Sequence, residues 1–504
     1  MKLFKLMEKI SFTCNLPFEE IKDIEIKDIA YNSKNCKEGF LFVALVGETV
    51  DGHRFVKDAY ERGARVFLLQ KDARISKYVQ ELNEDTIKIF VDNTRLTLSK
   101  ISDNFFSHPS QSLKIIGVTG TKGKTTITNY ISTVLNQSGI NTGVIGTNGT
   151  FFNGVSETTS NTTPESYELH RIFRRMLDNG VQCVAMEVSS GGIMQNRVED
   201  VDFDVAIFSN LSPDHIGPKE HPTFEHYLQC KAKLFKLAKH GIINVDDEYA
   251  EEIIKVATCD IETFAIENNA NIVANNIKYS KEIDSLGVSF DCNNGDETFP
   301  CYICSPGTFS IYNSLAVIAV CEYLGVKREV MIEALKTAKV SGRVEALSIL
   351  PYATVIVDYA HNGVSLENIL QTLKKYDHNR LICLFGSVGG RTEIRRKELG
   401  DVAAKECDVA ILTADNPDFE DPMNVIDDIA ESFGNSSCEV IKIPDREDAV
   451  RQAIRMAKDG DMIVFAGKGH EKYQLIKGEK LPFDEIKIAK DEAKKVLAER
   501  KLLA

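Results

Sequence analysis

Gly117-Val-Thr-Gly-Thr-Lys-Gly-Lys-Thr-Thr126 follows the mostly apolar run Leu113–Ile116 and precedes apolar positions at Ile127, Tyr130, Ile131, Val134 and Leu135. That order predicts a buried strand, a glycine-rich turn and an amphipathic helix, the setting of a phosphate-binding loop. Gly120 and Gly123 let the backbone aim its N–H groups at phosphate oxygens. The helix N-terminus adds a favourable dipole there. Lys124 can reach terminal phosphates, and the Thr125 hydroxyl suits Mg²⁺. Val118 stands where the common G-x-x-x-x-G-K-[ST] spacing has glycine, so the loop is a variant. The bland alternative is a glycine turn with a chance Lys-Thr. The strand–loop–helix context favours ATP.

Outward from the loop, the 504 residues divide into three predicted regions, 1–108, 109–339 and 340–504. In the first, Phe40–Leu45 and Ala64–Leu69 read as strands, with a helix from Phe55 and a polar loop Gly47–Gly52 between. In the second, Val181–Val188, Ala206–Phe208 and Gly241–Asn244 read as buried strands of a mostly parallel, doubly wound sheet. Segment 262–302 changes to short alternating runs, an expected antiparallel addition. In the third, Leu381–Phe385, Val409–Leu412 and Met462–Phe465 each run into Gly, Asp or Asn within a few residues. Ligands bind beyond the carboxyl ends of such strands.

Composition narrows the classes. Apolar residues at 43% and charged residues at 27% are ordinary for a globular protein. A net charge of −14 argues against nucleic acid as a main partner. The N-terminus lacks a signal-peptide apolar core, and no run is long enough to span a bilayer. Twelve scattered cysteines in such a chain are expected to be free thiols. Cys301-Tyr-Ile-Cys304, with Cys259 and Cys292, has the residue types of a zinc ribbon, but Pro300–Cys304 alternates like a strand and there is one C-x-x-C. Buried strand thiols are the preferred reading. A cytoplasmic enzyme is the expectation.

Two further stretches carry chemistry. Val181–Glu187 predicts a strand ending in an acid, placed to complete Mg²⁺ coordination beside a phosphate loop. An acid at a strand tip is otherwise simply solvated. Asn210-Leu-Ser-Pro-Asp-His215 follows the next strand, and its position favours a metal or phosphate role for His215 over a structural one.

Gly120–Thr126, Asn161-Thr-Thr-Pro164, Met186–Ser190, Ser209–His215 and Tyr227-x-x-x-Lys231 occur in the order that resembles Mur ligases. So do Ser341-Gly-Arg-Val-Glu345, Val357-Asp-Tyr-Ala-His361, Asp415-Asn-Pro417 and Gly467-Lys-Gly-His-Glu471. Asn32-Ser33, Leu41–Ala44 and Asp51-Gly-His53 resemble that family's N-terminal nucleotide-sugar domain. The resemblance spans nearly the whole chain. It implies an α/β, three-domain architecture: a UDP-sugar-binding domain (1–108), a central parallel-sheet ATPase domain (109–339) and a Rossmann-like amino-acid-binding domain (340–504). Within the family the motifs are nearest to ligases that add the third residue of the peptidoglycan stem peptide. The implied substrates are ATP, a UDP-N-acetylmuramoyl dipeptide and a free diamino acid. The oligomeric state is not legible; a monomer is the expectation.

The resemblance also implies roles. Gly120, Thr121, Lys122, Gly123, Lys124, Thr125 and Thr126 hold the ATP phosphates; Thr125, Glu187 and His215 serve Mg²⁺. Asn313 matches an adenine-contacting asparagine, with Ser310 replacing the first asparagine of that element. Arg343 and Asp358 match contacts to ATP phosphate and ribose, so the domains are expected to close for chemistry. Lys231 matches a lysine carbamylated by CO₂; without the resemblance it reads as an exposed lysine of Lys231-Ala-Lys233, and Lys233 as ordinary surface. Ser33 is a uridine-site candidate, and Thr162, Thr163, Ser189, Gln195 and Arg197 match contacts to the muramoyl peptide. Gly191 departs from the family, which has histidine there. Arg391 matches the arginine that holds the amino acid's carboxylate, and Asp415, Asn416, Gly467 and Glu471 match other positions of that pocket. Arg395 and Arg396 are either functional or a solvated basic face.

The incoming amino acid is read from Asp418. Ligases for meso-diaminopimelate typically carry arginine directly after Asp-Asn-Pro, whereas an acid there would attract a side-chain ammonium. L-lysine or a similar diamino acid is therefore the expectation, with meso-diaminopimelate the alternative. Other readings are a folylpolyglutamate or fourth-addition ligase, and a non-catalytic nucleotide-sugar-binding scaffold. The Gly-Gly-Arg, Asp-Asn-Pro and Gly-Lys-Gly-His-Glu set opposes the first two, and the intact phosphoryl-transfer set opposes the scaffold.

Overall fold

The computed structural model describes residues 1–503 except 48–49, 73–74, 214–215, 218–219, 283–284, 339–341, 343 and 391–392. The described chain is α/β throughout and forms two compact units. One comprises Met1–Asn271 with Ala316–Val326, the other Ile272–Leu315 with Lys327–Ala504.

The first unit holds two sheets. The N-terminal sheet orders its strands Thr13–Cys14, Ile87–Val91, Val66–Gln70, Phe40–Val43 and Asp28–Ala30, parallel except for the first pair. The larger sheet runs Asp260–Ala265, Ala238–Asn244, Phe203–Phe208, Lys114–Thr119, Cys183–Glu187 and Thr142–Gly146, all parallel, then turns antiparallel through Gly149–Phe152 and Val155–Glu157. Lys114–Thr119 is central and buried from Ile115 onward. A strand covered on both faces needs such a continuous apolar run. The helix Lys124–Gln137 buries Ile127, Tyr130, Ile131, Val134 and Leu135, the predicted stripe. Each such side chain contributes roughly 1.5–3 kcal/mol by leaving water.

In the second unit, Ile272–Glu282, Ser285–Asn293 and Thr298–Ile303 pair antiparallel, as segment 262–302 led one to expect, though Asp260–Ala265 within its start is a parallel strand of the first unit. Its main sheet orders Glu345–Leu347, Thr354–Asp358, Met462–Ala466, Leu381–Phe385, Val409–Leu412 and Glu439–Lys442, parallel except at the first pair. Two apolar clusters cover its faces. A hairpin, Tyr473–Ile476 with Glu479–Pro482, was not legible in the sequence. All twelve cysteines are free. No described helix is long and apolar enough to cross a membrane.

Candidate active site

Three parallel strands bring their carboxyl ends to one edge of the larger sheet: Lys114–Thr119 in the middle, Cys183–Glu187 and Phe203–Phe208 beside it. The phosphate loop leaves the first. Gly120 has φ +150°, and a Cβ there would lie 2.0 Å from Ser209 Oγ, so the close pass of loop and neighbouring strand end requires glycine. Gly123, at φ +89°, caps the helix Lys124–Gln137.

Residues after Phe208 hold the loop. Asn210 Oδ1 accepts from Lys122 N at 2.9 Å, Asn210 O from Thr121 N at 2.9 Å, and Ser209 Oγ donates to Lys122 O at 2.7 Å. Thr121 Oγ1 lies 3.1 Å from the Tyr227 hydroxyl. Lys124 Nζ folds back onto Gly120 O (2.8 Å) and Thr121 O (3.0 Å), within the mouth of the loop.

Glu187, 2% exposed, is the acid at the neighbouring strand end. Its Oε1 accepts from Thr125 Oγ1 at 2.9 Å and Thr147 N at 3.0 Å, and its Oε2 from Thr147 Oγ1 at 3.2 Å. Thr147 was not singled out by sequence; its signal is its place directly after the strand Thr142–Gly146. A hydroxyl and a carboxylate meeting at a glycine-rich helix N-terminus form an oxygen set that fits Mg²⁺ with nucleotide phosphates.

Lys231 corrects an expectation. It is 1% exposed, not a surface lysine; its Nζ donates to Gly120 O at 2.9 Å and lies 4.5 Å from the Tyr227 ring centroid. Helical spacing puts Tyr227 and Lys231 on one face of Phe224–Leu237, turned toward the loop. Lys233 is half-buried against Glu199. His215 lies outside the described residues.

A second group adjoins Glu187. Thr163 Oγ1 donates to Glu187 O at 3.0 Å and lies 3.1 Å from Ser189 Oγ. Arg197 donates to Thr163 O (2.9 Å) and Gln195 Oε1 (2.7 Å), and Thr162 Oγ1 lies 3.1 Å from Thr147 Oγ1. The five peptide-site candidates thus form one connected patch beside the phosphate loop. At Gly191 a Cβ would meet nothing within 4 Å. Ser33 is buried in the turn Ser33–Asn35 of the N-terminal sheet.

In the second unit, Asp415, Asn416, Gly467 and Glu471 meet around Lys468, which is fully buried. Its Nζ lies 2.6 Å from Asn416 Oδ1, 3.2 Å from Asp415 Oδ1 and 3.3 Å from Glu471 Oε2. Arg446, also fully buried, donates to Ala414 O (3.2 Å), Ala466 O (2.9 Å) and Glu485 Oε1 (2.8 Å), so it ties together the residues preceding Asp415 and Gly467. Neither cation was singled out by sequence. Lys468 sits inside a quoted motif, but Arg446 carries no local signal. Asp358 accepts from Val344 N and Ala360 N, both at 2.8 Å, and shapes the backbone next to position 343. Asn313 is buried on the helix Thr308–Tyr323. Arg343 and Arg391 lie outside the described residues.

Two further expectations change. Arg396 is not part of a solvated face: it is buried against Glu420 (2.6 Å) and Asp428 (2.6 Å). Asp418 does not simply wall a pocket. At φ +54°, its Oδ1 accepts from Gly478 N at 2.7 Å and anchors the hairpin.

Three family models match the chain: a Mur ligase family catalytic domain over residues 25–106, the Mur ligase middle domain over 118–321 and a Mur ligase glutamate ligase domain over 342–469. A UDP-N-acetylmuramoyl-L-alanyl-D-glutamate–2,6-diaminopimelate ligase of Clostridium perfringens is 40% identical, the alignment covering 94% of this chain and 97% of that one. The chain belongs to the Mur ligase family. A solved ligase of the same printed activity superposes on this Mur ligase with a TM-score of 0.71 at 25% identity, over 99% of both chains. MurF ligase from Thermotoga maritima, solved with ADP, shares the fold with a TM-score of 0.61 at 18% identity, over 95% of this chain and 100% of that one. This Mur ligase is an ATP-dependent acid–amino-acid ligase.

Proposed function

We propose that this Mur ligase joins a diamino acid to the terminal carboxylate of UDP-N-acetylmuramoyl-L-alanyl-D-glutamate, the third-residue addition of peptidoglycan synthesis, with ATP cleaved to ADP and phosphate. The carrying observation is the edge where Gly120–Thr126, Glu187, Lys231 and the Thr163–Ser189–Arg197 patch meet. The names of relatives alike over nearly their whole length support the same reading. Residues 1–108 would take the UDP-sugar, with Ser33 in the uridine site; 109–339 would take ATP, and 340–504 the amino acid.

A carboxylate is a poor acyl donor. Transfer of the terminal phosphoryl group to it gives an acyl phosphate, the amine attacks the carbonyl carbon, and phosphate leaves. The chain's task is positioning and charge neutralisation. Lys124 and the loop N–H groups would cradle the phosphates. Mg²⁺, when bound, would screen the phosphate charge; Thr125, Glu187 and His215 would hold it, with Lys231 as a carbamate in support. Thr162, Thr163, Ser189, Gln195 and Arg197 would orient the peptide. Arg343, Asp358 and Asn313 would hold the nucleotide. Arg391, Asp415, Asn416, Gly467 and Glu471 would hold the amino acid, with Lys468 fixing the two acids and Asn416. A cytoplasmic location and a monomer complete the proposal.

For the amino acid, meso-diaminopimelate is the better supported reading, because the relatives are named for 2,6-diaminopimelate and the Asp418 carboxylate is engaged by Gly478 N. L-lysine is the second reading, favoured by an acid at position 418. Steady-state phosphate release with each substrate omitted in turn tests the class: it should need ATP, the UDP-linked dipeptide and the amino acid together. The ratio of kcat/KM for the two amino acids decides between them.

A further inference from the structure

His221, His226 and Cys230 lie outside the set just described. His221, 2% exposed, precedes the helix Phe224–Leu237; His226 and Cys230 are one turn apart on it. Among the described residues they form the only group of three or more His, Cys, Asp or Glu placed to hold a metal, with one donor atom from each within 4.8 Å of the others.

We infer that these three residues form a binding site for a zinc-class divalent cation, separate from the oxygen set at Thr125 and Glu187. Hydrogen bonding pre-orients it. His221 Nε2 lies 2.8 Å from Ser190 Oγ; donation from Nε2–H to that hydroxyl leaves the Nδ1 lone pair facing His226. His226 Nδ1 is 2.9 Å away and supplies the proton shared by the two rings in the metal-free form. Cys230 Sγ is 3.8 Å from the same His226 nitrogen. On cation binding the shared proton would pass from Nδ1 to Nε2 of His226 and the thiol proton would be released to solvent, leaving two neutral imidazoles and a thiolate as donors.

The geometry is near that of a tetrahedral ion. Bonds of about 2.0–2.1 Å to nitrogen and ~2.3 Å to sulfur place donor atoms roughly 3.3–3.6 Å apart, so the two nitrogens part and the Cys230–His226 pair closes by a few tenths of an ångström, while the His221–Cys230 separation, within 4.8 Å, closes to the same range. The donor set decides the ion: nitrogen and sulfur select zinc and its neighbours, whereas Mg²⁺ takes oxygen. Ser190 is the outer partner that fixes the ring of His221. The fourth position is left to water or another small donor.

The test uses the full chain, stripped with a chelator and titrated with Co²⁺ as a spectroscopic probe for zinc. The expected result is one equivalent bound with a thiolate-to-cobalt charge-transfer band and tetrahedral visible bands, both abolished by added Zn²⁺. Cys230→Ser should lose the charge-transfer band, and His226→Gln, at a half-buried position, should weaken Co²⁺ binding at least tenfold. Cys14→Ser should bind as the parent does. No charge-transfer band in the parent chain would overturn the inference, as would unchanged Co²⁺ affinity in a His226→Gln protein whose circular dichroism shows it folded.

Discussion

Burial penalises an ammonium relative to the neutral amine, and the neutral amine is the form that reacts with CO₂. Lys231, 1% exposed beside Gly120 O, is the residue proposed to carry a carbamate, and a carbamate there would place an anion where a free ammonium would repel Mg²⁺. The expected outcome is that Lys231→Ala is inactive and partly rescued by a short carboxylate such as acetate; full activity of Lys231→Ala would refute the role. Lys124→Ala should abolish turnover yet keep the UDP-linked dipeptide bound. The loss is on the order of several kcal/mol of transition-state stabilisation, read as kcat/KM beside a binding isotherm. At Asp418 the hydrogen bond to Gly478 N predicts a structural effect: Asp418→Ala should lower Tm and weaken amino-acid binding without inverting the proposed preference for meso-diaminopimelate over L-lysine. An inverted preference would make Asp418 a reader of the side chain.

Elements add effects that single residues hide. The helix Ser166–Asp178 carries His170, which is fully buried; burial pushes its pKa down to about 4 against the pull of Asp103, with Lys100 and His108 also near. Because the folded value lies below the unfolded one of about 6.5, the unfolded chain binds the extra proton first. Stability is therefore full above pH ~6.5 and falls by roughly 3 kcal/mol as pH drops toward 4. His170→Phe should flatten Tm against pH in that window, and an unchanged slope would exclude His170 as its source. Arg446 and Glu485 form a buried pair between the strand ends and the C-terminal helix, with burial raising the pKa of the Glu485 carboxyl. Arg446→Met alone should cost about 3–5 kcal/mol in denaturant unfolding, and Arg446→Met with Glu485→Leu should recover most of it. Strands such as Leu381–Phe385 and Val409–Leu412 were legible at their ends because their apolar runs stop at Gly386 and Thr413. The hairpin Tyr473–Pro482 was not, because its strands are exposed or half-buried and carry no apolar alternation. Arg446 escaped for a different reason: its partners lie 20 to 39 residues away in sequence.

At the scale of the whole molecule, the parallel order of both main sheets follows from alternating strands and helices, and it puts Gly120, Glu187, Ser209, Asp358, Asp415 and Gly467 at or just beyond the carboxyl ends of parallel strands. Motif order was enough to identify the family. It did not place Lys231 in the interior, since a lysine's burial is decided by what packs over it. The central claim is ligation at the third residue. Its most direct test is mass spectrometry of the UDP-linked product after incubation with ATP, Mg²⁺, UDP-N-acetylmuramoyl-L-alanyl-D-glutamate and an equimolar mixture of meso-diaminopimelate, L-lysine, L-ornithine and D-alanyl-D-alanine. The predicted result is a product heavier by one diaminopimelyl residue, with ADP formed in equal amount. ATP hydrolysis without any UDP-linked product, or a product extended by D-alanyl-D-alanine, would contradict it.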